Sequence, residues 1–323
     1  MLKAFAISIA ILCGGLSAAN AQAPAEPYPA RPITLVVPFA AGGVTDVVAR
    51  VIGARMSELL GQPLVVENRV GAGGSIGTTF AAHAAPNGYT LLLGNGGTHS
   101  TSPITERGVA YDPNKDFTFI APFGSYSFVL VCNPKVPVTS VAELVALARR
   151  QPGKLSYGTA GIGSNVHFIF EYFKLRAGVD ITHVPYRGAG PMVADLLAGT
   201  TDCSFDGTSR PHIESGRLRA LAVAGIRRDP LYPEVPTLDE AGLSGFNLPG
   251  WQSLMGPRGM SPTIVRILNE AANTAVRDPD VIAKLRNIGF VAQGGTPAEL
   301  EKFVAEDTAT FRRIARDAKI QLQ

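Results

Sequence analysis

Short apolar runs that end in glycine-rich turns, each followed by a stretch of helical periodicity, recur along this chain. That alternation confines it to the α/β class. The clearest instance is the first. The apolar run Ile33 to Val37 leads into Pro38-Phe39-Ala40-Ala41-Gly42-Gly43, and an amphipathic helix opens directly after it. In that helix Val44, Val48, Val51, Ile52, Met56 and Leu59 share one face, and Gly61 supplies the stop. Such a turn leaves the first N–H groups of the helix unpaired at the positive end of its dipole, which suits a carboxylate or phosphate.

The same unit repeats. A strand over 63–67 precedes the turn 68–75 and a helix over 76–84, and an apolar run over 89–93 ends at Gly94-Asn95-Gly96-Gly97. Loops that follow parallel strands gather at the carboxyl edge of the sheet, where open α/β sheets bind ligands. After a turn-rich connection at 112–116, an extended segment over 117–132 crosses into a second lobe. There a helix capped by Ser140 runs to Arg150, and a strand over 155–158 enters the loop 159–167, which opens a helix over 166–177. Further strands are predicted at 181–185, 202–206 and 218–224, with helices at 191–198 and 209–215. Trp251 to Met255 is extended. Helices over 263–276, 279–288 and 297–317 are expected to return to the first lobe.

The N-terminus bears on the compartment. Lys3, the apolar run Ala4 to Leu12 and the small-x-small site Ala19-Asn20-Ala21 form a secretory signal peptide over residues 1–21, too short to span a bilayer. Cys13 follows the large Leu12, so lipidation is rejected. Without the leader, 28 basic and 26 acidic residues remain, which is no nucleic-acid footprint. The remaining length suits two lobes, with boundaries expected at 22–125 plus 248–323 and at 126–247. Cys132 and Cys203 survive processing, and buried free thiols are the favoured expectation for them.

Several chemistries are weighed and set aside. The loops from Gly71 and Gly161 each lack the third glycine of a dinucleotide fingerprint, and no phosphate-loop lysine motif occurs. No histidine or cysteine spacing suits a metal, so neither cofactor nor metal is expected. Gly73-Gly74-Ser75-Ile76-Gly77 fits a hydrolase nucleophile elbow, so a secreted esterase using Ser75 stands as an alternative. The five scattered histidines offer that serine no preferred base. Asp206, ending a strand in the second lobe, either caps the helix at Ser209 or accepts from a ligand. Trp251 either lines the cleft or packs the hinge.

Ordered blocks of residues then carry a resemblance. They include Pro38-Phe39-Ala40-x-Gly42-Gly43-x-Thr45-Asp46, Glu67-Asn68-Arg69-x-Gly71-Ala72-Gly73-Gly74, Gly161-x-Gly163-Ser164-x-x-His167, His183-Val184-Pro185-Tyr186 and Pro233-x-Val235-Pro236-Thr237. Together they resemble the substrate-binding proteins of tripartite tricarboxylate transporters, the Bug (Bordetella uptake gene) receptors. The resemblance implies a two-domain periplasmic solute-binding protein of the flytrap kind, each domain a mostly parallel sheet flanked by helices. It implies a monomer that binds a small organic carboxylate and hands it to membrane permease subunits, and no enzyme. A role as a ligand sensor in signalling is the other alternative. Carried over by resemblance, the carboxylate site comprises Phe39, Ala40, Gly42, Gly43 and Thr45, with Gly163, Ser164 and Asn165 opposite. Asn95 and Asp206 are added as residues that tune ligand choice. Ala41 departs from the family, which commonly has proline there.

Overall fold

The computed structural model describes residues 27–105 and 108–320, so the leader expected at 1–21 lies outside the described residues. The first unit folds as the pattern requires: β1 (Ile33–Val37), α1 (Val44–Leu60), β2 (Leu64–Asn68), α2 (Ser75–Ala82) and β3 (Thr90–Asn95). Gly61 ends α1 in the left-handed region at φ 68°. Beyond β3 a wide π turn (Gly97–Thr101) passes into the short α3 (Ser102–Thr105), a feature that periodicity over nine residues could not announce. The long extended segment is two strands, β4 (Phe117–Tyr126) and β5 (Val129–Cys132).

The chain continues through α4 (Val141–Arg150), β6 (Ser156–Thr159), α5 (Asn165–Ala177), β7 (Thr182–Pro185), α6 (Ala189–Ala198), β8 (Cys203–Asp206), α7 (Arg210–Glu214) and β9 (Arg219–Val223). It then returns through β10 (Gly250–Pro257), α8 (Pro262–Ala275), α9 (Pro279–Arg286), β11 (Phe290–Ala292) and α10 (Pro297–Asp317). The strand β11 lies beyond the sequence reading, because three residues are too few for an alternation to register. Pro297 stands in the first turn of α10, and Thr296 with Glu299 forms a capping box there.

Two sheets result, ordered β11-β4-β10-β3-β1-β2 and β7-β6-β8-β5-β9. The expected parallel pairings occur where helices cross over: β1 with β2 and β3, and β6 with β7 and β8. The returning strands pair antiparallel instead: β10 with β3 and β4, β11 with β4, and β5 with β8 and β9. Both sheets are therefore mixed rather than mostly parallel: β5 and β10 each arrive from the other lobe without a helical crossover, and β11 reaches the edge of β4 from α9 within the first lobe.

Side-chain alternation covers both faces of the first sheet. Leu35, Val37, Leu91, Leu93 and Leu254 pack with Val48, Ile52 and Met56 of α1 and with Leu268 of α8. Val36, Leu92 and Met255 point the other way, onto Ala81, Phe117, Leu300 and Val304. The second sheet buries Leu130, Cys132 and Phe205 against α4 and α5. Cys132 and Cys203 stand opposite each other in the antiparallel register of β5 and β8 and form a disulfide. The free-thiol expectation is corrected: spacing along the chain carries no information about strand register.

The two sheets are joined by β4 running into β5 and by the return to β10. These connections lie side by side, with the Ala224 N–H donating to the Phe128 carbonyl at 2.9 Å and the Leu248 N–H to the Ala224 carbonyl at 3.1 Å. Tyr126 fills this crossing; a Cβ on Gly250 or Gly207 would meet its ring at 2.1 and 2.4 Å. The last helix does not stay with the first lobe. Leu300 and Val304 of α10 pack under the first sheet, whereas Phe311, Ile314 and Ala315 belong to the core of the second.

Candidate functional site between two helix N-termini

Asp46 shapes the first turn. It is 3 % exposed, and its carboxylate accepts from the Gly42 N–H and Arg50 Nε, each at 3.0 Å, and from Asn68 Nδ2 at 2.9 Å. Asn68 Nδ2 also reaches the Phe39 carbonyl at 3.0 Å. Burial pushes the Asp46 carboxyl up, but the hydrogen bonds from Arg50, Gly42 and Asn68 prevail and hold it below the ordinary range. The turn is thus pulled toward the carboxylate, with Gly42 at φ 87° making the bend. Gly42 commits its N–H to Asp46 inside the protein. The first intrahelical bond of α1 runs from Val47 to Gly43, so the N–H groups of Val44, Thr45 and Asp46 begin the helix without an intrahelical acceptor.

Thr45 and Asn95 meet. Asn95 Nδ2 lies 3.4 Å from Thr45 Oγ, and Asn95 Oδ1 accepts from the Thr98 N–H at 3.1 Å, which fastens the residue to the turn that follows β3. The Phe39 ring closes the same region: a Cβ on Gly74 or Gly97 would meet its Cζ at 3.1 and 3.4 Å. Ala40 and Gly43 complete the loop, and a Cβ on Gly43 would stand 3.8 Å from the Ala40 carbonyl oxygen.

The second jaw comes from α5. Ser164 stands at its N-cap, yet its hydroxyl donates to the Gly161 carbonyl at 2.7 Å and makes no side-chain cap. It folds the loop back instead of occupying helix donors. The Gly163 N–H donates to His167 Nδ1 at 3.1 Å, so that nitrogen is the unprotonated one. Asn165 reaches the first lobe: the Thr101 hydroxyl lies 3.1 Å from Asn165 Oδ1, and a Cβ on Gly96 would come within 2.6 Å of Asn165 Nδ2. Gly163 approaches equally closely, since a Cβ there would meet Thr105 Oγ at 2.5 Å. The segment from Asn95 to Thr105 is therefore touched by Thr45 on one side and by Gly163 and Asn165 on the other.

Behind the second loop lies a stack of rings that sequence reasoning missed. His167 stacks on His183 at 4.4 Å, His183 on Tyr157 at 4.8 Å, and Tyr157 on Phe170 at 3.8 Å. The stack is pinned by Thr159 Oγ 2.7 Å from His183 Nε2 and by Tyr157, which donates to Glu171. Burial, then the neighbouring His167, lowers the His183 pKa to about 4, and burial also lowers that of His167. The four-residue spacing of Gly163 and His167 was the available signal for their bond. The stacking was not, because it joins a strand to a helix.

Asp206 ties down the turn that follows β8. It is 4 % exposed, and Oδ2 accepts from the Thr208 N–H at 2.9 Å and from the Ser209 hydroxyl at 2.5 Å. These bonds fold the turn that precedes α7 and reach no backbone N–H of that helix, whose N-cap Ser209 makes no side-chain cap. Trp251 is buried, donates from Nε1 to Asp307 at 2.9 Å and packs edge-on to Phe303, which ties β10 to α10. Ser75 is 8 % exposed at the start of α2. Among the described residues no cluster of three or more His, Cys, Asp or Glu could hold a metal, and no helix is long and apolar enough to cross a membrane.

Residues 48–320 match the model of the tripartite tricarboxylate transporter family receptor. The chain is 36 % identical over 329 residues to BugT of Bordetella pertussis, covering 98 % of this chain and 97 % of that protein. Rpa4515 of R. palustris, solved with adipate, superposes with a TM-score of 0.86 at 38 % identity, covering 92 % of this chain and all of that one. MatC of Rhodopseudomonas palustris with bound malate gives 0.81 at 36 % identity, covering 89 % and 99 %. These relatives are receptors for small solutes rather than enzymes, and receptors of the family are periplasmic. The chain belongs to the tripartite tricarboxylate transporter receptor family, among the Bug proteins.

Proposed function

We propose that the protein, exported by the signal peptide at 1–21, binds a small organic carboxylate in the interdomain cleft and delivers it as a monomer to the permease subunits of a tripartite tricarboxylate-type transporter. One observation carries this reading. The N-termini of α1 and α5 flank the same turn, with Thr45 on Asn95 and Asn165 on Thr101. Their first N–H groups form two anion-favouring ends. Ligand groups are assigned to the first turn at Phe39, Ala40, Gly43 and Thr45, with Asn95 beside them and the loop Gly163, Ser164 and Asn165 opposite. Gly42 acts through the shape of the turn. The lobes are assigned to 22–125 with 248–323 and to 126–247, a division supported by the membership of the two sheets. The adipate and malate complexes of the relatives support a carboxylate as the ligand class.

Thermal unfolding against a panel of di- and tricarboxylates, including adipate and malate, tests the reading. An acid present at a hundred times its Kd stabilises by about 2.7 kcal/mol and raises the melting temperature. No shift with any acid, together with no co-purified acid in native mass spectrometry, would overturn it.

A further inference from the structure

Gln252 lies in β10 opposite Asn95, on the face that packs against α1. It is 1 % exposed and donates from Nε2 to Thr45 Oγ at 3.0 Å. Asn95 Nδ2 approaches the same oxygen at 3.4 Å. The Asn95 amide is oriented independently, because its Oδ1 accepts from the Thr98 N–H. A threonine hydroxyl has two acceptor lone pairs and one proton. Two amide donors on one oxygen occupy both lone pairs, and the proton is left to point away from them. Gln252 Oε1, meanwhile, is buried with no hydrogen-bond partner among the described residues, so the residue is held here at a cost.

We infer that Gln252 is a positioning residue that, with Asn95, makes Thr45 an obligate hydrogen-bond donor to the anion bound at the N-terminus of α1. The inference rests on the carboxylate reading of the site and adds to it how the hydroxyl distinguishes an acceptor from a donor. With its lone pairs occupied, Thr45 offers an incoming N–H or O–H nothing. A carboxylate oxygen receives a proton already aimed. The return strand from the second lobe thus sets the polarity of a side chain on the first helix.

The test is a double-mutant cycle read by calorimetry, using whichever of adipate and malate binds the unaltered protein more tightly. Gln252→Leu should weaken binding about tenfold, and should cost less than twofold when Thr45→Val is already present. Gln252→Glu should weaken binding more than thirtyfold, since its carboxylate takes the Thr45 proton. Ligand-free melting temperatures serve as the folding control, and Gln252→Glu covers the case in which the leucine variant does not fold. Equal costs of Gln252→Leu with and without Thr45→Val, or an affinity of Gln252→Glu within threefold of the unaltered protein, would overturn the inference. Failure of the unaltered protein to bind either acid would remove its basis and is recognised separately, before any variant is made.

Discussion

The Thr101 hydroxyl lies 3.1 Å from Asn165 Oδ1, one residue on the π turn of the first lobe and the other at the first position of α5 in the second. A hydrogen bond that exists only when the lobes are together stabilises the closed form and not the open one. Asn165→Ala should therefore lower ligand affinity by about two- to twelvefold, the worth of one net hydrogen bond of ~0.5–1.5 kcal/mol. The ligand-free melting temperature should change little. Calorimetry and thermal unfolding check the two parts.

Gly163 has φ 79° and faces Thr105 at close range. Gly163→Ala should weaken binding more than tenfold, because the new Cβ would meet Thr105 Oγ at 2.5 Å and Thr105 Cβ at 2.8 Å. The left-handed backbone adds about 1–2 kcal/mol of strain regardless of closure. Adding Thr105→Gly should restore part of the affinity but none of the strain, and titration of the two variants separates these contributions.

The disulfide between Cys132 and Cys203 closes 71 residues of chain. A loop of that length corresponds to about 4 kcal/mol in the chain-entropy account, and native disulfides are typically worth about 2–4 kcal/mol. The double variant Cys132→Ala with Cys203→Ala should be less stable by that amount in urea unfolding. Ligand affinity should be retained, since both cysteines lie within the core of the second sheet.

Acid should destabilise the fold in two stages. Burial holds the pKa of His99 at about 3, and burial with the adjacent His167 holds that of His183 at about 4, against about 6.5 in an unfolded chain. Between those values the unfolded chain takes up protons that the folded one refuses, so stability falls as pH drops from about 6.5 toward 4. The second stage belongs to carboxyls held low. Burial raises Asp46, but its hydrogen bonds prevail, while hydrogen bonds from Thr296 lower Glu299; the stability they supply is lost as pH falls below about 4. Urea unfolding at pH 7.5 and 5 checks the first stage, and His183→Phe should make it shallower, leaving the share of His99, while keeping a ring in the stack.

The fold was legible where one pattern ran long enough. Leu35 and Val37 alternate with Val36, α1 carries four turns of apolar spacing, and α10 begins at a proline after a capping threonine. It was illegible where the answer depended on which strands become neighbours. Nothing near Cys132 says that Cys203 will stand beside it, and nothing in Trp251-Gln252 says that the glutamine will reach Thr45 across 207 residues. The candidate site divides in the same way. The glycine turns before α1 and α5 could be read from spacing, whereas the commitment of the Gly42 N–H to Asp46 and of the Ser164 proton to Gly161 required side-chain positions.

The last helix has one end among the side chains of each lobe, Val304 in the first and Phe311 in the second, barely two turns apart. A rod clamped in two bodies restricts how they can part. Any swing wide enough to empty the cleft has to bend α10 between Val304 and Phe311 or draw one end out of its socket. Asp307, which takes bonds from Ser100 and Trp251, sits in that short span. The receptor is therefore sprung as well as hinged, and the spring is fastened through Ser100 and His99 to the same turn that meets Asn165 through Thr101.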